Sequence, residues 1–358
     1  MTADAALAAA NLVIDKLGVS AEQLLSGTMT SPCPAPTFAD YIPRVARAVS
    51  PGARRTYQPY WNLLLQVRPD RPITEPTPTE FLHLSAHVKA EAQIRRNHRG
   101  GTSAAEHFIA AARCLYRHAE LDRIITHPDN PAAHIPKPRR HPSLRRALTN
   151  TELHSINTAA AGGTDPQLDT LLLRLHTETA CRRGGALALT EHSLDPDQHL
   201  VLLKEKGGTT RWQPVSPTLM HALLDHARHR PAGTPDTPLL RYRTGKPITR
   251  RRYDSLWNRI GRAEPWIARH GITTHWLRHT TLTWVERHFG YATAQAYAGH
   301  STQTSPAHAT STATYVKATI HDVATALAAL AGEPHPLAHD SNASAFPFEP
   351  KKSDWLAA

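Results

Sequence analysis

The sequence is poor in cysteine. Its 3 cysteines, Cys33, Cys114 and Cys181, are odd in number, widely spaced and free of any CxxC pair. That excludes a disulfide framework or a zinc site built on paired thiols, and it fits a reducing cytoplasm. No stretch approaches the ~20 consecutive apolar residues of a membrane-spanning helix. The opening "MTADAALAAANLVIDKLG" lacks the basic start and cleavage pattern of a secretory signal and reads as a short amphipathic helix. HExxH and HxxEH patterns and Cys/His clusters are missing as well, so the 24 histidines build no hydrolytic metal site. No metal and no other cofactor is expected. Internal repeats of solenoid length are also lacking.

What is present is positive charge. The 41 Lys and Arg against 30 Asp and Glu leave +11 before any histidine is counted. Such a balance suits a polyanion, nucleic acid first among them, and with no apolar span a membrane is not an expected partner. The 40% hydrophobic content over 358 residues is enough for two or three domains with proper cores, and it argues against wholesale disorder.

Residues 1–37 read as a tail that ends in "TSPCPAPT", where prolines break any helix. Residues 38–132 read as a helical domain. Ser50-Pro51 is a cap with a first-turn proline ahead of a face made by Tyr57, Tyr60, Trp61 and Leu64, and Thr77…Glu80 and Ser103…Glu106 are capping boxes. Arg95 and Arg96 give this domain basic side chains suited to DNA. Residues 133–147 form a proline-rich, extended linker made basic by Lys137, Arg139, Arg140, Arg145 and Arg146. In isolation such a stretch is a solvated spacer; between two basic domains it suits a strap along a phosphate backbone.

The second domain, 148–333, opens with a Thr149…Glu152 capping box and continues with an Asp165-Pro166 cap before Leu168, Leu171, Leu172 and Leu175. "HLVLLKEKGGTTRWQPV" changes period and predicts a hairpin around Gly207-Gly208. Helices then return. The stripe Leu282, Val285, Phe289 runs to Gly290, a shorter helix ends at Gly299, and "DVATALAALAG" closes the domain before a tail at 334–358. The class is mainly α with a small β-sheet.

In "THWLRHT", His275 and Arg278 are three apart, so both lie on one helix face and can act on one atom. Four more residues stand out: Arg182 in "TACRRGGALAL" on a predicted helix, Lys206 at the hairpin turn, His300 in "AGHS" and Tyr315 in "TATYVKA". Taken singly, Arg182 and Lys206 are ordinary surface cations and Tyr315 an ordinary packed aromatic.

In order and wording these pieces resemble the tyrosine recombinases, the phage-integrase family. "TACRRGGALAL" follows that family's TGLRxxELLAL, and "EKGGTTRWQPV" follows GKGxKxRxVPL from Lys206 through Arg211 to Pro214. HxLRHT is matched at His275, Leu277, Arg278, His279 and Thr280, LLGHS by "YAGHS", and TxxYxx by "TATYVK". The resemblance spans roughly residues 38–330. Three departures stand beside it. Gly185 occupies the place of an acid three after the first arginine, beside Gly184, which implies either a looser helix, at about 1 kcal/mol per glycine, or acidic support from elsewhere. Thr209 replaces the hairpin's second lysine, which leaves Lys206 as the choice and Lys204 as an outside candidate, and "SPAHAT" at 305–310 reads as an insertion.

The resemblance implies a two-domain, C-shaped DNA clamp, with a helical core-binding domain joined to a catalytic one. It also implies transesterification at a DNA phosphodiester without metal or ATP. Arg182 and Arg278 would hold the nonbridging oxygens and Tyr315 would attack phosphorus to leave a 3′-phosphotyrosyl link. His275 would serve as base or proton relay, Lys206 would protonate the departing 5′-oxygen, and His300 would bond a nonbridging oxygen or position the tyrosine. The implied partners are double-stranded DNA, further copies of the chain in a tetramer on paired sites, and an accessory directionality factor, in the integration or excision of a mobile element. Arg250 and Arg251, in "RYRTGKPITRRR", are either further phosphate contacts or a solvated charge run. A non-catalytic DNA-binding relative is the alternative. It explains the charge and the helices, but not why six such residues occur together and in order.

Overall fold

A computed structural model of the chain describes residues 34–92, 100–138, 145–205, 208–230, 234–299 and 318–339, with isolated positions before residue 23. The chain clusters into two compact units, Met1–Pro142 and Ser143–Ala358. Of the N-terminal helix expected over residues 1–18, the described positions Leu7, Asn11, Leu12, Val13, Ile14 and Lys16 are helical, and the tail beyond residue 339 lies outside the described residues.

The first unit holds helices α1 (Phe38–Ala48), α2 (Pro51–Val67), α3 (Pro78–Ala90) and α4 (Thr102–Leu121). Their starts follow local chemistry. The Ser50 hydroxyl accepts from the Ala53 amide ahead of Pro51, and Thr77 and Glu80 cap each other's amides reciprocally. Phe38, Tyr41, Trp61, Phe81, Phe108 and Tyr116 interlock in the core, where the Trp61 indole donates to the Ala111 carbonyl at 3.1 Å. The expected Ser103…Glu106 box does not form. Helix α4 starts at Thr102 behind Gly101, which has φ 70°, and a Cβ on Gly101 would lie 2.1 Å from the Lys89 carbonyl oxygen. Close approach of the end of α3, which only glycine permits, decides this start. Beyond α4, Arg113 donates to the carbonyls of Ala132, Ala133 and Ile135, and Ala132 and Ile135 join the core. The basic stretch therefore leaves the first unit packed against it, with Lys137 exposed.

The second unit holds α5 (Asn150–Ala161), α6 (Pro166–Thr179), the short α7 (Arg183–Leu187), strands β1 (Leu194–Asp195), β2 (Leu200–Lys204) and β3 (Thr210–Pro214), then α8 (Pro217–His229), α9 (Arg250–Ala263), α10 (Pro265–His270), α11 (Thr274–Ala298) and α12 (Ile320–Ala331). The sheet is antiparallel in the order β1-β2-β3, and the expected hairpin is β2–β3, paired from Leu200 with Pro214 to Lys204 with Thr210. Helix α11 breaks at Gly290, φ 82°, and stops at Gly299, φ 63°. Leu168, Leu172 and Leu175 of α6 pack with Val201 and Leu203 of β2, Leu256 and Ile260 of α9 and Leu277 of α11.

Charged groups are built into this core. Asp169 of α6 is fully buried between Arg252 and Arg259 of α9, the latter at 2.5 Å. Asp165 takes a two-pronged contact from Arg230 at 2.5 and 2.7 Å, and the fully buried Arg241 donates to the carbonyls of Arg230 and Pro238 at 2.8 and 2.7 Å. Two arginines of "RYRTGKPITRRR" are thus taken up inside the fold. Arg241 and Arg252 are structural, and Arg250 and Arg251 remain exposed at the start of α9. Asp169→Asn leaves two guanidiniums without their counter-charge, so a loss of about 3–5 kcal/mol is expected by denaturant unfolding. The exposed Asp225–Arg228 pair is the control, where Asp225→Asn should cost about 0.5 kcal/mol or less.

Candidate active site

Helix α6 ends at Ala180, whose φ of 48° turns the chain sharply, and Arg182 follows in extended conformation, φ −78° and ψ 151°. Arg182 is thus the residue that caps α7 and not a residue within a helix, which differs from the sequence expectation. The cause is the left-handed turn at Ala180, a tertiary feature without a glycine to announce it. Beyond Arg182, the five-residue α7 contains Gly184 and Gly185.

From this turn the Arg182 guanidinium meets Glu205, the residue that follows β2. Glu205 accepts from the Arg182 backbone amide at 3.2 Å and from the guanidinium, and its Oε1 lies 3.9 Å from the Arg211 guanidinium. Its side chain is only 1% exposed. Burial pushes the carboxyl pKa up, but hydrogen bonds and charge from Arg182, helped by the charge of Arg211, outweigh that and hold it below its ordinary value.

Arg211 itself, on β3, reaches under the end of α11. A Cβ on Gly299 would lie 2.4 Å from its Cδ and Nε, so Gly299 is required both for its positive φ and for this approach. Burial lowers the Arg211 pKa, and its Nε finds no hydrogen-bond partner among the described residues.

Arg278 lies one turn into α11 and is buried. Its guanidinium donates to the carbonyl of Ala180, just past α6, and at 2.8 Å to that of Ala298, the last residue of α11. Both carbonyls lie at helix C-termini, where backbone acceptors are otherwise orphaned and the helix dipole favours a cation. Burial first, and the neighbouring charge of Arg182 next, push the Arg278 pKa down to about 10. The structure therefore brings Arg182 and Arg278 together. His275, a turn earlier on α11, is exposed, and its pKa is lowered by partial desolvation and then by Arg145, Arg278, His279 and Arg182. The shift favours the neutral imidazole, the form able to accept a proton.

The start of α11 is held in place by its neighbours. The Trp257 indole donates to the Thr274 hydroxyl at 2.8 Å, the Leu148 amide to Thr280 at 2.9 Å, and the Thr281 hydroxyl to the Thr177 carbonyl at 2.6 Å. In "HWLRHT" this anchoring sends Leu277 and Arg278 inward and leaves His275 outward.

Lys206, His300 and Tyr315 lie outside the described residues, as do Arg95, Arg96, Arg139 and Arg140. The residues immediately before Lys206 and His300, Glu205 and Gly299, both adjoin Arg211. Glu205 and Arg211 are the charged groups of this cluster that sequence reasoning did not select. Arg211 had a signal in the hairpin pattern; Glu205 had none, because its partner stands 23 positions away across a fold. Among the described residues, no three His, Cys, Asp or Glu side chains converge as metal ligands, and no helix is long and apolar enough to cross a membrane.

Comparison with known proteins identifies the domain that carries these residues. Residues 146–318, which hold the whole arginine cluster, match the model of the phage integrase family. Those residues form a domain of that family, the tyrosine recombinases. Tyrosine recombinase XerC of Chlamydia trachomatis serovar L2 is 25% identical over 229 residues, covering 60% of this chain and 68% of that one. The XerC of serovar D has the same identity and coverage. Among solved structures, the lambda integrase tetramer bound to a Holliday junction has a TM-score of 0.57 at 17% identity, covering 79% of this chain and 81% of that one. The Tn1549 transposon integrase in complex with circular intermediate DNA has a TM-score of 0.58 at 16% identity, covering 75% and 93%. These two share its fold. The chain is a site-specific recombinase of the tyrosine type, mainly helical with one small sheet.

Proposed function

We propose that this recombinase cuts and rejoins duplex DNA through a 3′-phosphotyrosyl intermediate on Tyr315, in the integration or excision of a mobile element. The observation that carries the reading is the gathering of three arginines at the end of α6: the buried Arg278 donates to the Ala180 carbonyl, two residues before Arg182, and Arg182 and Arg211 flank Glu205. Cations crowded in this way are relieved when an anion arrives, and a phosphodiester gains negative charge on its nonbridging oxygens as the nucleophile adds. Two guanidinium forks suit those oxygens better than point charges do. The Tyr315 phenol oxygen forms a bond to phosphorus while the bond to the 5′-oxygen breaks. His275 takes the phenol proton, Lys206 gives a proton to the 5′-oxygen, and His300 steadies a nonbridging oxygen. Attack by a 5′-hydroxyl from a second duplex reverses the step, so the bond energy is kept and no nucleotide is consumed.

On this reading Arg95, Arg96, Lys137, Arg139, Arg140, Arg250 and Arg251 contact phosphates, and both units bind DNA. Four active sites are needed for two duplexes, hence a tetramer, as in the lambda integrase complex with a Holliday junction. The place of action is the cytoplasm, on DNA, with an accessory factor setting direction.

The test uses a nicked duplex enriched from a random-sequence pool by binding to the wild-type protein. A denaturation-resistant protein–DNA adduct is expected. Salt-sensitive binding with no adduct would overturn the catalytic reading and leave a DNA-binding relative without chemistry. The pH dependence follows from His275. Its pKa lies below the ordinary 6.5, so the base form persists to lower pH, and cleavage at subsaturating DNA should rise with pH through a midpoint below 6.5 and then level off. His275→Gln should remove that limb, and a midpoint above 6.5 in the wild type would count against His275 as the base.

A further inference from the structure

The family pattern places an acid three residues after its first arginine and a glycine before its hairpin lysine. This chain has the two reversed, with Gly185 in the first place and Glu205 in the second. The fold shows how the two positions are connected. A Cβ on the buried Gly185 would stand 3.5 Å from Glu205 Oε1 and 3.8 Å from its Cδ, ordinary contact distance. One carboxylate thus fills the space beside Arg182, and it arrives from the end of β2 instead of from α7.

The exchange has to be reciprocal. Acids at both positions would press two carboxylates together in a buried site, and glycines at both would leave the Arg182 and Arg211 guanidiniums facing each other without a counter-charge. The new origin of the carboxylate also changes what it is tied to. The Glu205 amide donates to the Thr209 carbonyl at 2.7 Å, beside the β3 arm of the hairpin, while the same residue's carboxylate receives the Arg182 backbone amide and guanidinium.

We propose that Glu205 is a positioning residue of the reaction centre, which orients the Arg182 guanidinium from the end of β2 and so ties its placement to the β2–β3 hairpin. Glu205 touches no reacting atom. It acts through Arg182 and Arg211, and the proposal rests on the recombinase reading given above.

The test compares full-length wild type, Glu205→Gln, Glu205→Gly, Gly185→Glu and the double variant Glu205→Gly/Gly185→Glu on the enriched nicked duplex. Single-turnover adduct formation, DNA affinity and melting temperature are measured for each. Glu205→Gln, nearly isosteric, should slow adduct formation at saturating DNA by about a hundredfold while affinity stays within about threefold. Gly185→Glu alone should also be slow, because it crowds a second carboxylate against the first. The double variant returns the carboxylate to α7 and should recover at least about tenfold over Glu205→Gly. Glu205→Gln within about threefold of wild type at saturating DNA overturns the proposal, as does a double variant no faster than Glu205→Gly. A parallel fall in melting temperature, DNA-binding amplitude and cleavage across the Glu205 variants, without recovery in the double variant, marks a merely structural carboxylate and overturns it too. A wild type that binds the duplex and yields no adduct is a different failure, visible before any variant is assayed. It removes the recombination chemistry, and this inference with it.

Discussion

Tyr315→Phe is expected to bind DNA as the wild type does and to yield no covalent adduct. The substitution removes a single oxygen, the atom that would join phosphorus, and leaves ring and backbone unchanged, so the loss should be complete and confined to chemistry. Two buried tyrosines of the second unit offer no substitute. Tyr297 is fully buried, its hydroxyl donates to the Glu178 carbonyl, and burial raises its pKa. Tyr253 is buried against His176, with the hydroxyl 3.0 Å from the ring nitrogen, and burial raises its pKa as well. Tyr291 is exposed, so it is the fair control, and Tyr291→Phe should form adduct at the wild-type rate. Denaturing gels of labelled nicked duplex, beside filter binding of the same DNA, measure both quantities. Adduct from Tyr315→Phe, and none from Tyr291→Phe, would move the nucleophile to the shorter helix that ends at Gly299.

The features legible in the sequence are those whose causes are local. Ser50-Pro51, Thr77…Glu80 and Thr149…Glu152 stop and start helices through bonds within one turn, and all three do so in the fold. Gly290 and Gly299 mark breaks because their φ values of 82° and 63° suit glycine. The small sheet was legible as a hairpin, but β1 was not, because two residues are too few to show alternation. What escaped the sequence depends on contacts between distant segments. Ser103 looks like a cap, yet the carbonyl of Lys89 sets the start of α4. Arg241 and Arg252 look like surface charge, yet they close buried networks with the Arg230 carbonyl and Asp169. Arg182 reads as helical because the turn at Ala180 carries no glycine. Within the site, the helix that carries His275 and Arg278 was readable, but not that it buries Arg278 and leaves His275 exposed. The meeting of Arg182 with Arg278, and of both with Glu205 and Arg211, was not, because it joins α6, α11 and the β2–β3 hairpin.

Arg278→Ala and Arg278→Lys should separate the two tasks that this side chain performs. In the fold its guanidinium satisfies the carbonyls of Ala180 and Ala298, bracing the turn that presents Arg182 and the helix end that precedes His300. In the reaction the same group would present its remaining N–H donors to a nonbridging oxygen. Alanine removes both functions. Two buried carbonyls lose their donor, at about 1–3 kcal/mol each, and the phosphorane loses one of its two forks, which should slow cleavage by about 10²–10³-fold or more. Lysine keeps the charge but offers a single ammonium on a flexible stem, which cannot reach two helix ends and a phosphate in fixed geometry. The lysine variant should therefore hold most of the DNA affinity, recover part of the melting temperature lost by alanine, and still cleave about a hundredfold more slowly than wild type. Thermal melts read the first task and single-turnover adduct formation at saturating DNA reads the second. A lysine variant that cleaves at close to the wild-type rate would show that charge alone is needed at this position, and the two-pronged grip on the phosphate would then have to be withdrawn from the mechanism.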